Sequence, residues 1–318
     1  MQTINQINLN SLKKPYVLIV SHARLGNLLF QLSAGLKYAK DNNLNFYWCP
    51  LCADSALDYK EYIESSGLLD TLFRNILDSY IDQEFFVSRW NESSLKKQDG
   101  FNNIYQYGFS ENPFNYKPIP KIENLVLFGQ FYHSSFLDRA LCLNVFNIPV
   151  EISNEIKELY GDVSNYTCIH VRRGDYLKGD GLCLDMNYYS KCMAKFELKT
   201  TFLVISDDIE WCKQYFINDD YIYVFAEKES NRSLIIDFYL MIECANIICS
   251  KSTFSWWGAF LNKNQNKKVF FPTTLADVLH RRVPNDWIKV SILSYQLLFA
   301  YTRVQGYFKS KTSNKKIH

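Results

Sequence analysis

Apolar and polar positions alternate most regularly in the second half of the chain. Short apolar runs at 166–171, 201–205, 221–225, 246–249 and 268–271 read as buried strands. Between them, 186–196, 208–216, 233–245 and 255–261 carry helical periodicity. Strands alternating with amphipathic helices predict a parallel sheet covered on both faces, a Rossmann-like unit. Nearer the start, the run at 16–20 predicts another buried strand. A helix over about 28–40 follows it, with Leu28, Leu29, Leu32, Leu36 and Ala39 near one face. Residues 46–150 are less periodic: a helical piece at about 55–64, a polar loop at 91–100, a strand at 125–128, and loop marked by Pro113, Pro118 and Pro120. Ile148-Pro149-Val150-Glu151 is a plausible boundary, giving an α/β chain of two Rossmann-like domains, 1–150 and 151–290, facing across a cleft. The remainder, 291–318, reads as a C-terminal helix and a basic tail. Its apolar part reaches Tyr301, and it ends in Lys309, Lys311, Lys315 and Lys316. A packing helix with a solvated end and a peripheral contact with anionic lipid both fit that pattern.

Composition narrows this picture. With 47% hydrophobic and 21% charged residues the chain is globular rather than disordered. No apolar run reaches the length of a membrane-spanning helix, and MQTINQINLN lacks the features of a secretory leader, so a cytoplasmic location is expected. A net charge of +2 weighs against nucleic acid as a partner. The 16% aromatic content suits large cores and also sugar-stacking clefts. Nine scattered cysteines without a leader read as buried free thiols. Cys49 and Cys52 form a C-x-x-C pair, but Pro50 and Leu51 place it in a strand-to-loop stretch rather than at a helix start, and no second pair completes a zinc site. Sequons at Asn91, Asn165 and Asn231 would matter only in a secretory lumen.

In open parallel sheets ligands bind beyond the carboxyl ends of the strands. The residues following the predicted strands are therefore the candidates. Arg172-Arg173-Gly174-Asp175-Tyr176 follows one, and guanidinium forks onto phosphate oxygens. Adjacent residues diverge, so one arginine is expected to face a ligand and the other a structural carboxylate such as Asp175. An Arg–Asp pair that only holds a loop is the alternative. Ser206-Asp207-Asp208 follows another strand. Asp207 with Glu210 fits a helix N-cap, and a ribose or base contact is the other reading. Lys251 to Ser255 precede a helix whose free amides suit an anion, with Ser252 or Ser255 as its cap. No phosphate-binding G-x-x-x-x-G-K-[ST] loop and no G-x-G-x-x-G occurs, and no D-x-D triplet offers a metal site. An enzyme with a nucleotide diphosphate leaving group and no metal remains.

Four blocks carry a family resemblance. His170-Val171-Arg172-Arg173-Gly174-Asp175-Tyr176 is similar to the H-x-R-R-x-D motif of α-1,2- and α-1,6-fucosyltransferases. Ser252-Thr253-Phe254-Ser255-Trp256-Trp257 resembles the S-x-F-S-W-W motif of the α-1,2 group, glycosyltransferase family 11. Ser206 to Cys212 resembles a third block, and Arg24-Leu25-Gly26-Asn27-Leu28-Leu29-Phe30-Gln31 resembles the N-terminal G-x-L-G-N-Q-x-F-Q block. Gly129-Gln130-Phe131-Tyr132 falls where the family carries an aromatic glycine strand.

The resemblance implies a GT-B-like fold, an acceptor-side first domain, and a second domain binding GDP-L-fucose without metal. It implies inverting transfer of fucose to the 2-OH of a terminal galactose. Arg172 would bind the β-phosphate and Asp175 would orient the arginines. Asp237 would read guanine, and Ser252, Thr253 and Phe254 would contact phosphate, with Asn27 closing the cleft. The donor set so implied comprises Asn27, His170, Arg173, Ser206, Asp207, Asp237, Ser252, Thr253, Phe254 and Ser255. Asp175 and Asp180 are the nearest candidates for a base. Two departures, Ala23-Arg24 for the usual glycine pair and Leu28 for the usual glutamine, lie on the acceptor side. An α-1,6-type enzyme, disfavoured by the S-x-F-S-W-W block, and a non-catalytic nucleotide-sugar-binding protein are the competing readings.

Overall fold

The computed structural model describes residues 11–53, 58–82, 85–87, 104–107, 116–178, 183–227, 233–274 and 283–292. Asp180, the sequons at Asn91 and Asn231, the polar loop at 91–100 and the tail from 293 onward lie outside these residues.

The first half builds a five-stranded parallel sheet in the order β3-β2-β1-β5-β4. Its centre is β1 (Tyr16–Ser21), buried at every position, flanked by β2 (Asn45–Ala53) and β5 (Leu125–Gly129). Short edge strands β3 (Phe85–Val87) and β4 (Ile104–Tyr107) complete it. Helix α1 runs from Leu25 to Asn42, starting three residues before the apolar stripe, and Asn43 closes it in the left-handed conformation. Helix α2 (Tyr59–Ser65) begins at Asp58, whose carboxylate accepts the Glu61 N–H. Short helices α3 (Arg139–Val145) and α4 (Val150–Tyr160) lead into the second half.

The second sheet has six strands where the sequence pattern predicted five. Strands β6 (Thr167–Val171), β7 (Thr201–Ser206) and β8 (Ile222–Phe225) run outward on one side of the sheet. On the other side lie β9 (Asn246–Ile248), β10 (Val269–Thr273) and β11 (Ile288–Ser291), in the order β11-β10-β9-β6-β7-β8. This is the doubly wound order, reversing between β6 and β9. Helices α5 (Met186–Met193), α6 (Ile209–Tyr215), α7 (Ser233–Glu243) and α8 (Thr253–Leu261) connect the strands. The sixth strand is an addition to the sequence pattern: residues 288–291 pair with β10 at the end of the second domain. Only one register of four alternating residues, mostly exposed, marks it, a weak signal for an edge strand.

One continuous core joins the sheets, running from Val17 and Ile19 of β1 to Ile247 of β9. Helix α8 sits in its middle. Trp257 is fully buried, and Phe30 of α1 packs against Trp256 and Trp257 with ring centroids 4.8 and 5.0 Å away. From α3, the Arg139 guanidinium donates to the carbonyls of Phe260 and Asn262, satisfying the C-terminal end of α8. The helix is thereby fixed between the two sheets.

Candidate active site

Each sheet reverses its strand order once, between β6 and β9 in the second half and between β1 and β5 in the first. Ligands in such sheets bind at these reversals. The segments following β6, β9, β1 and β5 contain the H-x-R-R-x-D residues, the start of α8, the Arg24–Gln31 block and Phe131-Tyr132.

After β6, the Arg172 guanidinium donates from Nε and Nη2 to Asp175 Oδ1 at 2.9 and 2.8 Å, and from Nη1 to Asp207 Oδ2 at 3.0 Å. Burial works against the charge on Arg172, but the bonds and charges of Asp175 and Asp207 outweigh it and hold its pKa above the ordinary value. Partial burial would raise the Asp175 carboxyl. The hydrogen bonds and charge of Arg172, with the charge of Arg24, overcome this and keep it below the usual carboxylate range. Arg173 points elsewhere. Its Nε meets Asp208 at 3.0 Å and its guanidinium stacks 3.9 Å from the Trp211 ring. The divergence expected of the pair is present, but Asp175 belongs to Arg172, and the carboxylate anchoring Arg173 is Asp208.

The block after β7 requires further corrections. The N-cap of α6 is Asp208, which accepts the Trp211 N–H. Asp207 instead turns back, accepting the Arg173 N–H at 2.8 Å and pairing with Arg172. Gly174 permits this, since a Cβ there would lie 2.7 Å from Asp207 Oδ2. Ser206 is buried and its Oγ accepts the Asp208 N–H, a turn bond rather than an open donor contact. His170 is also buried, with Nδ1 2.7 Å from Ser250 Oγ, so it ties β6 to β9 behind the site.

At α8, Ser252 is the cap, accepting the Phe254 N–H at 3.2 Å. Ser255 is fully buried and its hydroxyl donates to the carbonyls of Ser250 and Ser252, so its side chain braces the turn and does not reach the cleft. Tyr176 donates to the Lys251 carbonyl at 3.0 Å, lashing the loop after β6 to the loop after β9. Asp237 lies half-buried on α7. The Cys168 thiol, driven up first by burial and then by neighbouring thiols, feels its charge as well. It therefore sits close to β6 and is not part of the cavity wall described below.

The first half contributes a neutral, hydrogen-bonded turn. Gln31 accepts the His22 N–H at 2.9 Å, and its amide nitrogen lies 3.0 Å from His22 Nδ1. Burial pulls the His22 pKa down to about 3, so the ring is neutral. Tyr62 OH accepts the Leu25 N–H at 3.2 Å. Ala23 holds φ 71, the left-handed region, at the position of the family's glycine pair. Gly26 then brings α1 against α8. A Cβ on it would lie 2.5 Å from Thr253 Oγ1 and 2.7 Å from the Phe254 nitrogen.

Two helix starts thus abut, and neither has an acidic residue in its first turn. Their partial positive charges add in one place. Arg24, the residue preceding α1, crosses to Asp175 at 3.7 Å. Beside this junction lies a cavity of about 270 Å³ between the halves, bounded by Asn27, Phe30 and Tyr132 on one side. Lys251, Ser252, Thr253, Trp256, Tyr176 and Phe271 bound the other. The Lys251 ammonium stands 5.5 Å over the Phe271 ring.

Eight cysteines among the described residues are free thiols, seven of them buried. Pro50 and Leu51 belong to β2, and burial pushes the Cys49 thiol far above its ordinary value, leaving it inert. Among the described residues no cluster of His, Cys, Asp and Glu suits a metal ion, and no helix is long and apolar enough to cross a membrane.

Two Rossmann-like sheets with facing switch points define the GT-B arrangement of glycosyltransferases. Residues 72–290, more than half of the chain, match the model of glycosyl transferase family 11, and the chain belongs to that family. Among curated proteins, the Escherichia coli O-antigen biosynthesis glycosyltransferase WbnK is 34% identical over 46% of this chain and 53% of its own length, so the match spans about half of that relative. An Escherichia coli alpha-1,2-colitosyltransferase is 28% identical over 78% of this chain and 88% of its length. In fold, the chain resembles Arabidopsis thaliana FUT1 in complex with GDP, with TM-score 0.50 and 13% identity, covering 84% of this chain and 74% of that one.

Proposed function

We propose that this glycosyltransferase moves L-fucose from GDP-L-fucose to the 2-OH of a terminal galactose on a glycan acceptor, with inversion at the fucose anomeric carbon and without a metal. The observation that carries the donor reading is the junction of two helix starts beside Arg172. Neither helix has a carboxylate in its first turn, and Arg24 and Arg172 meet beside them at the half-exposed Asp175. A pyrophosphate is the anion that fits such a place. Of the two carboxylates on Arg172, Asp207 is also fixed by the Arg173 N–H, whereas Asp175 is half-exposed. The β-phosphate takes the place of Asp175 on Arg172, and Asp175 keeps Arg24 as its partner. In the reaction the acceptor oxygen bonds to fucose C1 and the bond from C1 to the β-phosphate oxygen breaks. The electron pair stays on GDP, where Arg172 and the helix ends stabilise it, and the hydroxyl proton passes to solvent.

A second donor, the GDP derivative of colitose, is favoured by the colitosyltransferase relative, which matches across 78% of the chain. The O-antigen biosynthesis named for one Escherichia coli relative supports a role in surface-glycan assembly. A single assay tests the proposal. The protein is incubated with GDP-L-fucose or GDP-colitose and a panel of β-galactosides, with and without EDTA, and product linkage is read by NMR. An α-1,2 fucoside formed equally in EDTA is expected. An α-1,6 linkage, preference for colitose, loss of turnover in EDTA, or binding without transfer would each overturn the corresponding part.

A further inference from the structure

We infer that Tyr176 is a positioning residue for departure of the nucleotide: its ring and its hydroxyl together hold the Arg172 guanidinium in register with the start of α8, so that both act on one phosphate. This deepens the donor reading above and rests on it. The need arises from the sheet. Strands β6 and β9 pair only from Thr167 to Ile169 and from Asn246 to Ile248. Arg172 stands three residues beyond the last pair on one strand, and Ser252, the cap of α8, four residues beyond it on the other. Parallel neighbours part at such a reversal, and the ladder no longer fixes one loop against the other. Side chains bridge the gap instead. His170 meets Ser250 at 2.7 Å, next to the strands, and Tyr176 reaches Lys251 farther out, at 3.0 Å.

Tyr176 touches both partners. It stands in the short 3₁₀ turn Asp175–Lys178, folded back by the Leu177 N–H, which donates to the Arg173 carbonyl at 2.8 Å. The Arg172 guanidinium carbon lies 5.8 Å from the centre of the Tyr176 ring, inside cation–π range. The hydroxyl donates to the Lys251 carbonyl, and that peptide joins Lys251 to the capping Ser252. Burial raises the phenol pKa, so the hydroxyl stays protonated and remains a donor at neutral pH. The ring matters most when the phosphate displaces Asp175. Arg172 then loses its two bonds to that carboxylate, and Asp207 and the face of Tyr176 remain to aim it.

Steady-state transfer from GDP-L-fucose to a β-galactoside, with thermal melts alongside, compares the full chain with Tyr176→Phe and Tyr176→Leu, each also in the Arg172→Ala background. Tyr176→Phe keeps the ring and loses one hydrogen bond, and its kcat is expected to fall about fivefold. Tyr176→Leu loses ring and hydroxyl, and its kcat is expected to fall about fiftyfold. Acceptor KM should stay within about twofold in both. In the Arg172→Ala background Tyr176→Leu should cost only the share of the hydroxyl, about fivefold, because the ring acts through Arg172. A lower melting temperature with unchanged kcat per folded molecule would make Tyr176 a structural strap and overturn the inference. So would an unchanged kcat with a raised acceptor KM, or the full loss persisting without Arg172. Should Tyr176→Leu not fold, Tyr176→Phe decides alone, since it keeps the packing of the ring: an unchanged kcat overturns the inference and a fall at constant acceptor KM supports it. Wild-type protein that transfers no sugar from GDP-L-fucose would sink the donor reading itself, a result distinct from all of these.

Discussion

The two carboxyl edges that face each other use opposite chemistry. On the second sheet the loops are charged: two arginines and three aspartates lie within direct ion-pairing distance, each with an assigned partner. On the first sheet the turn is held by neutral groups, Gln31 on His22 and Tyr62 on Leu25, with Arg24 as its charged contribution across the cleft. A charged edge recognises an anion by electrostatics that survive small movements. A neutral edge must instead be placed accurately, because a hydrogen bond fails within a few tenths of an ångström. The division suggests that the second half holds the leaving group and the first half sets geometry around it.

The largest expected effect tests the charged edge. Arg172→Ala should lower kcat by ~10²–10³, the cost of one transition-state donor, and it should also lose stability, because Asp207 and Asp175 lose their guanidinium partner. Arg173→Ala should cost stability alone. It removes the bond to Asp208 and the stack on Trp211, destabilising the fold by about 2 kcal/mol, while the folded fraction keeps its turnover. Near-normal turnover in Arg172→Ala, or equal loss in both variants, would erase the distinction between the ligand-facing and the anchoring arginine.

Next in size is the contact where the edges meet. Gly26→Ala places a Cβ against Thr253 and the Phe254 backbone, atoms that cannot step aside without moving α8. Overpacking of this kind costs about 1–3 kcal/mol, and a shift near 1 Å between catalytic parts costs about 10² in rate. The variant should therefore lose stability and turnover together, measured by thermal melts and single-turnover assays. If it kept both, the helix junction would not be the geometric reference of the site.

A pH experiment separates the edges by their titrating groups. The folded state holds His22 neutral, with its pKa pulled down to about 3 by burial, whereas an exposed histidine titrates near 6.5. Between those values the unfolded chain binds a proton that the folded chain excludes. Stability from this group is complete above pH 6.5 and falls as pH drops, by about 1.4 kcal/mol per unit. Asp175 acts in a lower window. Its folded pKa lies below the ordinary carboxylate value, so its contribution is present above 3.8 and is lost as pH falls through the folded value. Denaturant midpoints from pH 7 to 4.5 should show a steep wild-type slope that His22→Gln reduces. An unchanged slope in that variant would mean that the neutral turn does not exclude the proton.

Much of this site was legible in the chain because strand ends and motif blocks coincide. Arg172, Asp175 and the start of α8 were reached from the alternation of strands and helices, and Asn27 from the resemblance of the Arg24–Gln31 block. What escaped was partner choice. Asp207 and Asp208 are adjacent, and either could cap α6. The outcome depends on Gly174 leaving room for Asp207 to turn toward Arg172, a fact of the folded loop. Ser206 and Ser255, expected in the donor set, bond to local backbone for a related reason: small hydroxyls near a strand end satisfy neighbouring backbone groups as readily as a ligand. The aromatic wall of the cavity was invisible because Phe30, Tyr132, Trp256 and Phe271 come from four separate elements. Phe30, Tyr132 and Trp256 each stood in one of the family blocks, but nothing in those blocks said that they share a wall with Phe271.

The smallest effect concerns Ala23, where the sequence departs from its family. That departure seemed to concern the acceptor, yet the residue's conformation gives it a backbone cost as well. At φ 71 the Ala23 Cβ crowds the following carbonyl, a strain of roughly 1–2 kcal/mol that glycine escapes. Glycine in turn gives the unfolded chain more freedom, which offsets about 0.4–1 kcal/mol. Ala23→Gly should thus raise the melting temperature by about 1–3 °C, with kcat and both KM values held. A rise would show that the neutral edge keeps its turn through Gln31 and Tyr62 despite a strained residue, and that the alanine has no role in acceptor choice. A fall in melting temperature would mean that the turn relaxes when Ala23 is removed, and a changed acceptor KM alone would return the departure to specificity.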